Sequence, residues 1–162
     1  LLPIRRDTIV WSKFFFAAIG SSVPCMLLIL LSDVMLQVGE LVVKLHQATC
    51  LMLCWGLSAI AVGLGACMPN FREASPSKIA AGFGGTLNLV LSAMYIVALV
   101  LLTALPCHFL AAIEAQRETS REAVELAHRW LIYGFSTALT IGLLTLIVPM
   151  ALGLRAFRKM EF

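Results

Sequence analysis

Charge is scarce in this sequence. Only 13% of its 162 residues are Asp, Glu, Lys or Arg, whereas 60% are hydrophobic, and the mean hydropathy is +0.95. A water-soluble domain of this size has too much surface to leave so many apolar residues without a polar covering. The composition therefore excludes an ordinary soluble domain and indicates that much of the surface faces a lipid bilayer.

Basic clusters and paired-cysteine motifs are also missing. Twelve Lys and Arg against nine Asp and Glu give a net charge of +3, and no basic run could follow a phosphate backbone, so nucleic acid is excluded as a partner. None of the five cysteines forms a C-x-x-C pair, which argues against a disulfide oxidoreductase. The cysteines lie in apolar stretches, where we expect small packing residues: Cys25, Cys50, Cys54, Cys67 and Cys107.

The start of the chain carries no signal-peptide pattern. A basic n-region, a short apolar run and an A-x-A site are all missing. The sequence opens with Leu1 instead of Met, which suggests a piece of a longer protein.

Long uncharged intervals predict where the chain crosses the membrane. A helix rises about 1.5 Å per residue, so roughly 20 apolar residues cross a hydrocarbon core of about 30 Å. The sequence predicts an all-α, polytopic transmembrane helix bundle with four spans, at approximately 14–37, 48–68, 86–109 and 130–154. Residues 1–13 and 155–162 then flank a four-helix transmembrane domain over 14–154. Pro149 is expected to kink the fourth span.

The distribution of charge predicts the orientation. Eight of the twelve basic residues lie in the two terminal segments and in the loop at 69–85, while the other two loops hold most of the acidic residues. By the positive-inside rule, both termini are expected to be cytoplasmic, in a plasma or inner membrane. Residues 114–129 carry capping and i,i+4 charge pairs, which predict a solvated helix leading into the fourth span.

No set of side chains predicts catalysis or a cofactor. His46, His108 and His128 share no helix-turn spacing, so we expect interfacial polar residues and not metal ligands. Cys50 and Cys54 lie one turn apart, but two thiols make a weak metal site, and core packing is the favoured interpretation. We therefore predict no catalytic residue, cofactor, metal or enzymatic activity in this chain. An intramembrane enzyme ranks last among the hypotheses.

Asp33 is the one acidic residue that extends a hydrophobic span. Intramembrane carboxylates are costly and usually functional, so a proton or cation relay is one interpretation. Its position about 20 residues after Lys13 places it at the outer end of the helix, however. Contact with water is the favoured interpretation.

Two patterns predict close helix packing. Small residues recur every four positions in the second and fourth spans, and such stripes let helices approach closely. They are Ala59, Gly63, Cys67, Gly134, Ala138 and Gly142. A candidate polar face of the third span carries Asn88, Ser92 and Tyr95. These three either form interhelical hydrogen bonds, the favoured interpretation, or line a polar pathway.

Two segments resemble a known transporter family. The stretch LPIRRDTIVWSK, just before the first span, resembles the cytoplasmic segment of ABC-2 type exporter permeases that contains a short coupling helix resting on the ATP-binding subunit. Residues 63–96, centred on PNFREASPSKIAAGFGGTLNL, resemble a block of ABC exporter membrane proteins. The resemblance implies that 1–13 is a coupling-type segment, while the charge distribution predicts that 155–162 is a cytoplasmic tail.

The resemblance also implies a function. The chain would be the carboxy-terminal, membrane-spanning permease portion of an ATP-driven ABC-type exporter, which moves substrate by alternating access. ATP hydrolysis is expected in a separate ATP-binding cassette subunit, because no G-x-x-x-x-G-K-[ST] loop occurs in the 162 residues. The residues expected to contact that subunit are Arg5, Arg6, Arg72 and Lys78. A helix break or hinge is expected at Gly82, Gly84 and Gly85.

Further expectations concern partners. A second permease half or another copy of the chain would complete the exporter, since such permeases work in pairs and a half normally has about six spans instead of four. The alternative is a non-transport integral membrane subunit or scaffold of a larger complex, held by its small-residue stripes. It predicts tight association with another membrane chain.

Overall fold

The computed structural model describes residues 6–68, 82–114 and 121–159, and these residues form four long α-helices. They are α1 (Arg6–Met35), α2 (Glu40–Cys67), α3 (Phe83–Glu114) and α4 (Arg121–Lys159). Each contains a segment long and apolar enough to span a membrane. No strand occurs in the described ranges. The predicted all-α transmembrane bundle is confirmed.

The helices extend beyond the predicted spans. α1 begins at Arg6, so much of the segment predicted at 1–13 is continuous with the first span, and α4 continues past 154 to Lys159. The solvated helix expected at 114–129 forms the start of α4 from Arg121 onward, while 115–120 lies outside the described residues. Hydropathy identifies only the apolar part of a helix. Backbone hydrogen bonding continues beyond that part, so the helix extends past the predicted span.

A tight turn joins α1 to α2. Gln37 adopts a left-handed conformation with φ of 51°, which ends α1. The amide N–H of Leu36 donates to the carbonyl of Ser32 at 2.9 Å, and that of Val38 donates to the carbonyl of Asp33 at 3.1 Å. Gly39 then has extended backbone at the start of α2. Because the connection is short, α1 and α2 form an antiparallel hairpin of fixed register.

α2 is the central helix of the bundle. It packs against each of the other three, whereas α1 and α3 do not contact one another in the described ranges. One core cluster joins α1, α2 and α4 through Val10, Phe14, Ala18, Ala59 and Met150. A second joins α2, α3 and α4 through Ile60, Tyr95, Leu99 and Ala138. Large apolar side chains elsewhere face outward, as Phe16 does with 85% of its surface exposed, and form the surface that lipid covers.

Glycine allows two pairs of helices to pack backbone against backbone. A Cβ atom added at Gly63 of α2 would collide with the backbone carbonyl of Pro149 in α4. One added at Gly153 would lie 2.8 Å from the carbonyl oxygen of Gly63, and one at Gly134 would lie 2.5 Å from that of Leu102 in α3. The close contacts therefore include two positions of the predicted stripes. Of the other stripe residues, Ala59, Ala138 and Gly142 are buried and Cys67 is half-buried.

Candidate functional site

An ion pair joins the first and last helices at one end of the bundle. The guanidinium of Arg158 in α4 donates from Nε to Oδ1 of Asp7 in α1 at 2.9 Å, and from Nη2 to Oδ2 at 2.5 Å. The Asp7 carboxylate raises the pKa of Arg158 above its ordinary value through this hydrogen bonding and charge. The start of α1 and the end of α4 therefore lie side by side, at what we call the terminal end of the bundle.

We expect Arg158→Ala to loosen this end without unfolding the bundle. Both partners are substantially exposed, so the effect should be local and should weaken in high salt. Hydrogen exchange in nanodiscs should become faster for the first turns of α1, and the charge swap Asp7→Arg with Arg158→Asp should restore the slow rate. Lys44→Ala is the matched control, because it breaks an exposed pair with Glu40 elsewhere. Unchanged exchange in Arg158→Ala would show that the pair does not hold the end together.

The residues predicted to contact an ATP-binding subunit fall largely outside the described ranges. Arg5, Arg72 and Lys78 lie there entirely, while Arg6 is the first residue of α1 and its side chain is not described. The ends of α2 and α3 that flank 69–81 lie at the terminal end, because the four helices alternate in direction. The proposed role of these four basic residues stays a prediction.

The predicted hinge glycines occupy the start of α3. Gly82 directly precedes the helix, and Gly84 and Gly85 belong to its first turn, so the span begins before the predicted residue 86. Thr86 donates its backbone N–H to the carbonyl of Gly82 at 3.0 Å, which closes that turn. Glycine is tolerated here because the first turn of a helix has little intrahelical bonding to lose. A break within the helix at Gly84 or Gly85 is not observed, and hinge motion stays a prediction.

The polar face of the third span is directed inward. Tyr95 is 6% exposed, and its hydroxyl donates to the carbonyl of Met52 in α2 at 2.8 Å. This is an interhelical hydrogen bond, the interpretation favoured from the sequence. Ser92 is half-buried, and the side-chain oxygen of Asn88 is buried without a hydrogen-bond partner in the described part of the chain. In the described ranges, this face therefore contributes one hydrogen bond between α3 and α2, from Tyr95, and one buried acceptor without a partner, the side-chain oxygen of Asn88.

A buried acidic residue and a histidine pair at the opposite end of the bundle. The side chain of Asp33 is only 5% exposed, and its Oδ1 lies 2.8 Å from Nδ1 of His46 in α2. The other oxygen, Oδ2, is buried without a partner among the described residues. The expectation that Asp33 reaches water is therefore wrong. The turn between α1 and α2 brings His46 next to Asp33. The position of Asp33 within the first span does not by itself predict this contact.

Other candidates for chemistry are few in the described ranges. No three His, Cys, Asp or Glu side chains there form a group able to hold a metal ion. A groove of about 330 Å³ lies between α3 and α4, and its lining lacks carboxylate, imidazole and ammonium groups. Its residues are Leu101, Leu102, Leu105, Pro106, Trp130, Tyr133, Gly134 and Thr137. The notable polar features are thus the terminal ion pair, the face on α3 and the Asp33–His46 pair.

Comparison with known proteins gives a match to a protein family. No curated protein and no solved structure matches the chain. The model of one protein family matches residues 1–162, and that family is described as "Putative ATP-binding cassette".

This match corrects the function predicted from the sequence. The family description names the ATP-binding part of such systems and not their permease, so the interpretation as a permease portion that moves an exported substrate by alternating access is wrong. The connection to ATP-binding-cassette systems is retained. Because the match covers all 162 residues, the chain belongs to the family described as "Putative ATP-binding cassette".

Proposed function

We propose that this chain is a non-transport membrane anchor within an ATP-binding-cassette assembly, whose four helices hold the ATP-hydrolysing part at the bilayer. One observation carries the proposal. The residues that match an ATP-binding-cassette family are the same residues that form four helices able to span a membrane. The stretch that matches the family therefore includes helices able to span a membrane, which supports a membrane-anchored role.

In this proposal the described helices do not hydrolyse ATP. The supporting observation is that the 162 residues contain no G-x-x-x-x-G-K-[ST] loop, the motif whose backbone N–H groups surround the phosphates. That loop follows a strand in nucleotide-binding folds, and the described ranges contain only helices. The proposed partner is accordingly an ATP-binding cassette subunit. A second permease half is no longer an expected partner, because it was predicted only for a permease. Association of two copies of the chain stays a prediction.

The proposed contact is the terminal end of the bundle, on the cytoplasmic side. Both terminal segments and the 69–85 loop carry the excess of basic residues, which favours a cytoplasmic location. The Asp7–Arg158 pair fixes the first and last helices at this end, so a partner would meet one joined surface. Arg5, Arg6, Arg72 and Lys78 are the proposed contact residues.

The test separates nucleotide binding by this chain from binding by a partner. The chain purified in nanodiscs should not bind a fluorescent ATP analogue with Mg²⁺. The tagged chain extracted from its native membrane should co-purify with a protein that mass spectrometry identifies as carrying a G-x-x-x-x-G-K-[ST] loop. The double variant Arg5→Glu, Arg6→Glu should weaken that association, because it reverses the charge of the proposed contact.

Lys44→Glu is the matched control, since Lys44 is exposed at the opposite end. It should leave the association intact. Saturable, Mg²⁺-dependent nucleotide binding by the purified chain would overturn the anchor proposal, as would extraction of the native protein without any such partner.

A further inference from the structure

The groove between α3 and α4, here called the α3–α4 groove, opens near the end of the bundle opposite the terminal end. Two contacts agree on the register of its walls. The ring centroids of Phe109 in α3 and Trp130 in α4 lie 6.5 Å apart. One turn further along α4, a Cβ atom added at Gly134 would lie 3.0 Å from the ring of Pro106. The groove therefore runs from the level of Trp130 to that of Thr137, about 10 Å into the apolar part of the helices.

A polar depression of about 210 Å³ continues from this groove toward the start of α4. Leu126 in the depression precedes Trp130 in the groove by one turn, and Arg129 likewise precedes Tyr133, so the two hollows lie on adjoining faces of α4. In the part of the chain that the structure describes, no ion pair involves the charged side chains of the depression. Its lining residues are Glu122, Glu125, Leu126 and Arg129.

The chemistry of α4 changes in the order in which the parts of a phospholipid occur. The carboxylates of Glu122 and Glu125 come first, and the guanidinium of Arg129 follows. Next come the largely exposed side chains of Trp130 and Tyr133, which carry an N–H and an O–H donor, and then the apolar groove. A phospholipid with an ethanolamine headgroup presents an ammonium, a phosphate, ester carbonyls and an acyl chain in the same order.

The charges of the depression select the class of headgroup. Two carboxylates and one guanidinium line it, and Arg121, the first residue of α4, does not. An anionic headgroup would bind Arg129 but would meet the negative charges of Glu122 and Glu125. An ethanolamine headgroup offers a phosphate to Arg129 and ammonium N–H donors to the carboxylates, and both contacts are charge-assisted hydrogen bonds. A choline headgroup has no N–H to donate, so the ethanolamine headgroup fits best.

We propose that the α3–α4 groove and the polar depression together bind one phospholipid of the phosphoethanolamine class, in the leaflet opposite the terminal end. Arg129 binds the phosphate, Glu125 and Glu122 accept from the ammonium, and one acyl chain lies in the groove. A helix from a second copy of the chain fits this site less well. It would need an apolar strip along a whole span, whereas this groove covers about two turns of α4 and ends at charged side chains.

The test measures which lipid stays with the chain. The purified chain is reconstituted in nanodiscs that contain equal amounts of phosphatidylethanolamine, phosphatidylglycerol and phosphatidylcholine with identical acyl chains. Native mass spectrometry of the released chain should show one retained phosphatidylethanolamine per chain. Arg129→Gln should lower that retention about fivefold, the upper end for a single exposed ion pair. Thr137→Phe should lower it as well, because Thr137 lines the groove and the larger side chain would fill it.

Each variant has a matched control on α4 outside the site. Arg155→Gln removes an exposed guanidinium near the other end of the helix, and Thr140→Phe adds the same bulk at an exposed position beyond the groove. Both controls should retain the lipid as the wild type does, and circular dichroism of all four variants checks that the helices are intact. Preference for phosphatidylglycerol, equal retention of the three lipids, unchanged retention in a folded Arg129→Gln variant, or a dimer without lipid would overturn the proposal. The assay contains neither nucleotide nor partner protein, so its outcome is independent of the proposed anchoring function.

Discussion

Gly63→Ala is expected to lower the melting temperature of the bundle substantially, whereas Gly65→Ala, two residues away on the same helix, is expected to raise it slightly. A methyl group at Gly63 would overlap the backbone carbonyl of Pro149, which cannot rotate away as a side chain can. Overpacking of this kind costs about 1–3 kcal/mol. At Gly65 nothing lies within 4 Å of the added atom, so the higher helix propensity of Ala contributes up to about 1 kcal/mol.

The two variants separate the effect of interhelical packing on stability from the effect of helix propensity, because both replace a glycine of α2 by alanine. Thermal unfolding in nanodiscs, followed by circular dichroism, should show shifts of opposite sign. Gly134→Ala should behave like Gly63→Ala, because its added methyl group would meet the carbonyl oxygen of Leu102 at 2.5 Å. Equal shifts for Gly63→Ala and Gly65→Ala would contradict the close crossing of α2 and α4.

His46→Leu is expected to destabilise the α1–α2 hairpin strongly. The change removes the partner of Oδ1 of Asp33, and Oδ2 already has none in the described ranges. The buried Asp33 side chain would then have no hydrogen-bond donor in the described ranges, and an unsatisfied buried polar group costs about 1–3 kcal/mol. Replacing both residues, as Asp33→Leu with His46→Leu, should recover most of that loss, because no unsatisfied polar side chain then remains buried at this position.

Denaturant titration of the two single variants and the double variant measures this coupling as a double-mutant cycle. His128→Leu is the matched control, since His128 is exposed and its ring nitrogen lies 3.4 Å from a carbonyl of its own helix. It should change stability little. A double variant less stable than His46→Leu alone would show that Asp33 does not depend on His46.

The number and type of elements could be predicted from the sequence, because lipid imposes a length and a polarity on every helix that crosses it. The four predicted spans fall within α1 to α4, apart from residues 36, 37 and 68 at the ends of the first two. Boundaries such as Arg6 and Lys159 could not be predicted, since they lie beyond the apolar part and depend on backbone bonding in water. The small-residue spacing did indicate Gly63 and Gly134 as contact positions, but not which carbonyls they meet.

The polar pairing was harder to predict. Asp33 and His46 were each interpreted alone as residues near water, because the turn at Gln37 that brings them together carries no strong sequence signal. The function was predicted wrongly because the resemblance rested on two short segments, whereas the family match extends over all 162 residues.

Pro149 weakens α4 at the point where it crosses α2. A proline has no N–H, so the carbonyl of Thr145 loses its helical bond at the level where α4 presses most closely on Gly63. α4 therefore lacks one backbone hydrogen bond beside its contact with Gly63, and a bend at Pro149 would move the last turns of the helix relative to α2. Those turns contain Arg158, whose guanidinium binds Asp7, so the same bend would also move the first turn of α1.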